Sequence, residues 1–300
     1  MYSLLLLLLG AVSATNCTTL NSTARPVPFS LSPLAGWQVT FEDNFDVLNK
    51  SRWTIANECS TEHECAHNKE EQVYLASQVR VEDGNLVVEA TRDAYTSPAA
   101  GTRQYRSGRL DSSGSFAQQF GRFEARIKLP VGLGMWPAFW LMPRGGRCWP
   151  TDGEIDIMEY VGQSPDQIHG ACNRNFHDDK AVCGKTGKSK QVDLDNGFHV
   201  YAVEWTPTAI SWYFDGQLYY VLDSNQCTDK APFYIPQKTF YIILNLAVGG
   251  TWPGSPSAST VFPQRMLVDY VRVYKPRESP PFRALEATYL LVVHAVIGQL

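Results

Sequence analysis

"DGEIDIMEY", residues 152–160, sets four carboxylates among apolar residues in nine positions. On a helix, Asp152, Asp156 and Glu159 would share a face. On a strand, side chains alternate with period two, so Glu154 and Asp156 share a face while Glu159 points away. The surrounding sequence decides between the two. Gln78 to Arg92 alternates Val79 and Val81, then Leu86, Val88 and Ala90, about an Asp83-Gly84 turn, the pattern of a hairpin. Ala209 to Asp223 repeats it about Asp215-Gly216. Gly121 to Pro130 puts Phe123, Ala125, Ile127 and Leu129 on one face and charges on the other, and Leu267 to Tyr274 alternates again. Thr239 to Val248 is almost continuously apolar, as in a strand buried on both faces. Residues 37–275 therefore read as one all-β domain, an antiparallel β-sandwich or jelly roll, with no helical stretch of useful length, internal repeat or dividing linker.

Residues 152–160 then lie on a strand, and the odd offset from Glu154 to Glu159 places the two glutamates on opposite faces. One inserted residue reverses that parity, so the spacing predicts a β-bulge at Ile157-Met158 that returns Glu159 to the face of Glu154 and Asp156. Three carboxylates on one face repel each other and lose hydration, so stability does not explain them. Glycosidic hydrolysis does. One carboxylate attacks the anomeric carbon and another protonates the leaving oxygen, with the two about 5–5.5 Å apart when configuration is retained. Neighbours on one strand face stand roughly 6–7 Å apart, and leaning side chains close that gap. Asp156, between them, is expected to hydrogen-bond Glu154 and to help keep Glu159 protonated. A Ca²⁺ site is the weaker alternative, since an alternating strand wraps poorly around six to eight oxygens. A solvated face is the other; Gly153 and the nearby Trp149 argue instead for close approach of something flat.

The composition excludes several classes of partner. A net charge of −4 and a pI near 5.9 leave no basic stripe for nucleic acid. Eight tryptophans and fourteen tyrosines suit flat, uncharged ligands as well as a core. Residues 1–14 join an apolar run, Leu4 to Leu9, to Val12-Ser13-Ala14 and read as a signal peptide too short to span a bilayer. Sequons at Asn16, Asn21 and Asn49 agree with secretion. Seven cysteines follow the cleavage point. Cys59 with Cys65 and Cys172 with Cys183 would close local loops and Cys148 with Cys227 would be long-range, leaving Cys17 over. No CxxC pair supports zinc. Residues 15–36 read as an N-terminal extension. Residues 276–300 combine a Pro-rich linker with the apolar Tyr289 to Leu300, which reads either as a GPI signal or as an extension packed on the domain. Membrane association is expected only through such an anchor, and a monomer is expected.

Eight motifs occur in order between residues 37 and 275: "FEDNFD" (41–46), "NKEEQVY" (68–74), "SGRL" (107–110), "GRFEARIKLP" (121–130), "GMWPAFWLMP" (134–143), "WPTDGEIDIMEYVG" (149–162), "NLAVGGTWPG" (245–254) and "VDYVRVYK" (268–275). Together they resemble glycoside hydrolase family 16, and within it the endo-1,3-β-glucanases, or laminarinases, whose bulged six-residue core EIDIME matches. The resemblance implies a jelly roll with a concave substrate cleft. It also implies a retaining mechanism with Glu154 as nucleophile, Glu159 as acid/base and Asp156 as supporting carboxylate, and no cofactor needed for catalysis. By position it makes Trp136 and Trp149 aromatic platforms flanking the cleavage point, and Asn68, Arg109 and Asn245 polar groups facing the cleft. Trp140, four residues after Trp136, reads as either cleft or core, and Trp252 as a turn. Arg126 is expected to pair with Glu124 or another charge. A structural Ca²⁺ on the convex side would use Asp269 and the Gly84 carbonyl.

The laminarinases usually carry "GTLH" after the catalytic strand, with a cleft histidine near the acid/base. Here "HGACNRNFH" (169–177) puts Asn173 at that position. Either Asn173 substitutes, or His169 or His177 supplies the imidazole. The expected activity is endo-hydrolysis of β-1,3-glucan or mixed-linkage β-1,3-1,4-glucan. The alternatives are a cell-wall β-glucan transglycosylase using the same pair, and a non-catalytic β-glucan recognition protein, which typically loses one or both glutamates.

Overall fold

The computed structural model describes residues 35–58, 67–99, 101–145, 152–173, 185–224 and 235–277. Strands follow one another along the chain, first β1 (Trp37–Asp43), β2 (Thr54–Ile55), β3 (Gln72–Tyr74), β4 (Val79–Glu82), β5 (Asn85–Ala90), β6 (Tyr95–Ser97) and β7 (Gly101–Arg103). Next come β8 (Tyr105–Ser107), β9 (Arg109–Asp111), β10 (Gly121–Lys128), β11 (Met135–Pro143), β12 (Glu154–Tyr160) and β13 (Gln167–Asn173). The last are β14 (Lys185–Gln191), β15 (His199–Trp205), β16 (Ala209–Phe214), β17 (Gln217–Asp223), β18 (Phe240–Val248) and β19 (Gln264–Pro276). All belong to one compact unit, Gly36–Leu300. Among the described residues the one helical segment is a 3₁₀ turn, Ala76–Gln78.

Two sheets make the sandwich. One runs β17-β16-β15-β10-β19-β5-β4, with β1 also paired to β19; the other runs β14-β13-β12-β11-β18-β9-β2. Every pairing in both is antiparallel. A parallel pair, β3 with β8, stands outside them. The two hairpins form where Asp-Gly turns were expected, because Asp83 and Gly84 (φ 52° and 69°) and Asp215 and Gly216 (φ 47° and 77°) adopt the left-handed conformation that tight hairpins require. Inward residues of the two sheets interdigitate: Phe123, Ala125, Ile127, Val203 and Trp212 from the first meet Phe139, Leu141, Ile155, Ile157 and Leu244 from the second. Strand β18 is buried on both faces along nearly all its length, as its apolar run implied.

The outer face of β10 is less exposed than its charges suggested. Arg122 and Glu124 are 7% and 1% exposed. Arg122 Nε donates to Glu124 (2.8 Å) and Nη1 to Glu204 (3.0 Å), while the Tyr274 hydroxyl donates to Glu124 and the Tyr213 hydroxyl to Glu204. The burial of these charges is compensated by pairing and hydrogen bonds.

Candidate active site

The carboxylate strand β12 lies inside the second sheet, between β11 and β13. On the β11 side, Met158 pairs with Phe139 and Asp156 with Trp140, so Ile157 has no residue opposite. On the β13 side, Asp156 pairs with Ala171 and Glu159 with His169, so Ile157 and Met158 together face Gly170. This is the expected bulge. Its two residues are both buried, and the odd offset is absorbed between Asp156 and Glu159.

Cross-strand partners share a face. Glu154 therefore stands with Asn173, Asp156 with Ala171 and Trp140, and Glu159 with His169 and Ala138. The hydrogen bonds agree. Trp136 Nε1 donates to Glu159 Oε1 at 3.1 Å, and Asn173 Nδ2 donates to Glu154 Oε1 at 2.6 Å and Asp156 Oδ2 at 2.9 Å. Asp156 is 3% exposed, while Glu154 and Glu159 are half-buried and reach the surface. One point differs from the sequence argument. Asp156 stands between the glutamates, so two same-face steps separate them, about 13 Å of backbone. The long glutamate side chains must lean over Asp156 to meet.

The first sheet also anchors this strand. Trp212 Nε1, from β16, donates to the Asp156 carbonyl at 2.8 Å, beside the inserted residue. Gly170, facing the bulge, has no room for a side chain: a Cβ there would lie 2.5 Å from Trp212 Cδ1 and 2.6 Å from the Tyr219 hydroxyl. Gly153 is explained by the protein rather than by a ligand. Its φ is 94°, and a Cβ would press on Pro236 and Phe240.

Around the carboxylates, Trp136 packs edge-to-face on Trp252 (5.4 Å), which is 38% exposed and packs likewise on His169 (4.9 Å). Trp140 shares the Trp136 face and is only half-buried. Its Nε1 donates to Asn245 Oδ1 at 2.7 Å, and the Arg109 guanidinium lies 5.3 Å over its ring. Asn245 in turn donates to the Tyr74 hydroxyl. Burial pushes the Tyr74 hydroxyl far up against the pull of Arg109, so it stays protonated. Arg109 and Asn245 are thus brought together, braced against Trp140. Asn68 turns its amide and its backbone N–H to the Glu70 carboxylate, and its carbonyl accepts from Thr251 in the loop that carries Trp252. Trp149 and His177 lie outside the described residues, as do Cys17, Cys59, Cys65, Cys148, Cys183 and Cys227; Cys172 is buried.

Asn173 sits at the Glu154 end of the strand, not beside Glu159 as the motif position suggested, and it is His169 that stands across from Glu159. Tyr74 was passed over, although the motif "NKEEQVY" contained it. Trp140 was left open between cleft and core, and Trp252 was read as a turn residue. A half-open recess of ≈ 300 Å³ between Leu129–Val131, Tyr160 and Val192–Gly197 lies elsewhere and holds none of the three carboxylates. Of the donors proposed for Ca²⁺, Asp269 pairs with Arg126 (2.9 Å) and Gly84 lies in the turn between β4 and β5; among the described residues no three His, Cys, Asp or Glu side chains group to hold a metal.

The sequence profile of the glycosyl hydrolases family 16 matches residues 66–272. The chain belongs to the glycosyl hydrolases family 16. It is 36% identical over 256 residues to a beta-glucanase of Rhodothermus marinus, covering 80% of this chain and 85% of the other. It is 33% identical over 255 residues to a glucan endo-1,3-beta-glucosidase of Cryptopygus antarcticus, covering 79% and 91%. The X-ray structure of an endo-beta-1,3-glucanase from Pyrococcus furiosus superposes with a TM-score of 0.75 at 35% identity, over 84% of this chain and 100% of that one. The expected family and jelly-roll fold are borne out.

Proposed function

We propose that this chain is a secreted, retaining endo-hydrolase of β-1,3-glucan, of the laminarin type or with mixed β-1,3-1,4 linkages. The observation that carries the reading is the Ile157 bulge, which sets Glu154, Asp156 and Glu159 on one face with Trp136 bonded to Glu159. The family and the relatives named as glucan endo-1,3-beta-glucosidases support the substrate. A Glu154 oxygen attacks the anomeric carbon as Glu159 delivers its proton to the departing glycosidic oxygen. Glu159, now a carboxylate, takes a proton from water as that water displaces Glu154, and the β configuration returns. Asp156, buried between them, keeps the local field negative, which favours a protonated Glu159 before the first step. Trp136 and Trp149 serve as sugar platforms, with Asn68, Arg109 and Asn245 bracing the cleft; each step uses groups of this chain alone.

Secretion rests on the leader at residues 1–14. It is consistent with the sequon at Asn49, whose Oδ1 accepts from the exposed Ser51 amide and hydroxyl in a surface turn. A GPI anchor at residues 276–300 would hold the enzyme at the cell surface; without it the protein acts as a free monomer.

The test is an NMR time course of laminarin cleavage with Glu154→Ala as control. β-Anomeric products appearing first, and none from the variant, support the proposal. α-Anomeric products would mean the glutamates do not lean together and the reaction inverts. Products longer than the substrate would assign a transglycosylase, and laminarin bound but uncut a recognition protein.

A further inference from the structure

Asn173 closes β13 opposite Glu154 and is 5% exposed. One nitrogen, Nδ2, reaches two carboxylates of the neighbouring strand, at 2.6 Å and 2.9 Å. Only the NH₂ end of the amide can face two carboxylates, so chemistry fixes its orientation, and both of its protons are taken. No N–H is left to donate to a sugar hydroxyl, and only Oδ1 can still accept from one. We infer that Asn173 is a positioning residue rather than a sugar ligand: it ties Glu154 and Asp156 to one neutral donor, aiming the first and easing the repulsion between them. This rests on Glu154 being the nucleophile.

The groups around Glu154 show why a neutral donor matters. Its own strand brings Asp156 and, beyond the bulge, Glu159. Strand β13 brings Asn173 and, further along, His169, while Lys185 of β14 holds the register position across from Asn173. Across β11 stand Trp140 and, behind it, Asn245 and Arg109. Before the strand, Asp152 is paired with Lys238. An imidazole in place of Asn173 would gain or lose a proton near its ordinary pKa of about 6.5. The amide does not titrate. It gives the ionised nucleophile the same support at every working pH, and a donor to the charged form holds a carboxyl pKa down.

The test follows the Glu154 carboxyl by ¹³C NMR across pH, assigned by its loss in Glu154→Gln, in wild type, Asn173→Ala and Asn173→Asp. Steady-state kinetics on laminarin run in parallel. Asn173→Asp keeps the shape and so preserves the test if the alanine variant folds poorly. The Glu154 midpoint is expected to rise by about one unit in Asn173→Ala and further in Asn173→Asp, where a third carboxylate replaces the donor. The acid limb of kcat/KM follows it upward, and kcat falls by about tenfold or more while KM stays within about twofold. Laminarin cut normally with an unmoved midpoint, or a raised KM at unchanged kcat, overturns the inference and returns Asn173 to sugar binding. A wild type that leaves laminarin uncut overturns the function itself, so the two failures are distinguishable.

Discussion

Trp136 Nε1 donates to Glu159 Oε1 at 3.1 Å, so the indole meets the carboxylate with its edge. A donor to the ionised form lowers an acid's pKa. Trp136→Phe keeps a ring and removes the donor. The alkaline limb of kcat/KM, which reports the general acid, should move to higher pH by about half to one unit. An unmoved limb in the pH–rate profile would show that the bond does not persist in the working enzyme.

Deleting Ile157 leaves Glu-Ile-Asp-Met-Glu, an alternating run in which all three carboxylates still share a face. The variant should fold and cut laminarin about 100-fold more slowly, the cost of a displacement near 1 Å. It should remain well above Glu159→Ala, which loses the acid outright. Equal kcat/KM for the two variants would sink the parity argument.

Arg122 joins two carboxylates on the outer face of the first sheet, one of them fully buried. Arg122→Met strands Glu124 and should cost about 3 kcal/mol, whereas adding Glu124→Leu should recover most of it. Urea denaturation of the three proteins at neutral pH measures both values; a single-variant loss under about 1 kcal/mol would show the network to be replaceable.

Burial works against the charged form of His199, but hydrogen bonds to Asp215 and the Leu194 carbonyl, with Asp195 nearby, outweigh it and raise its pKa. A raised pKa favours the fold below the unfolded value of about 6.5, and the gain disappears as pH rises through the folded value. The Tm difference between wild type and His199→Asn should therefore be widest near pH 6 and shrink toward pH 9. A difference that is constant across this range would refute the linkage.

Much of the architecture could be read without coordinates because it rests on local rules. Asp83-Gly84 and Asp215-Gly216 announce hairpins by backbone chemistry alone, and the apolar run before Val248 can only be buried. The bulge followed from the parity of Glu154 and Glu159. What escaped depends on partners distant in the chain. No spacing says that Asp269 meets Arg126, that Arg109 covers the Trp140 ring, or that Tyr74 braces Asn245 across 171 positions. Asn173 was found by motif position, but its role turns on the β12–β13 register, which sets it four residues along from the partner of Glu159. Gly153 misled because a glycine required by its own backbone looks, in sequence, like one kept clear for a ligand.

The bond from Trp212 to the Asp156 carbonyl crosses from one sheet to the other. Any sliding of the layers past each other would tug at the turn of chain that aims Glu159. The bearing of Glu159, the proposed acid, is thus a property of the whole sandwich, kept true by a strut from the far wall. Loosening β16, far from any sugar, should blunt the enzyme well before it unfolds.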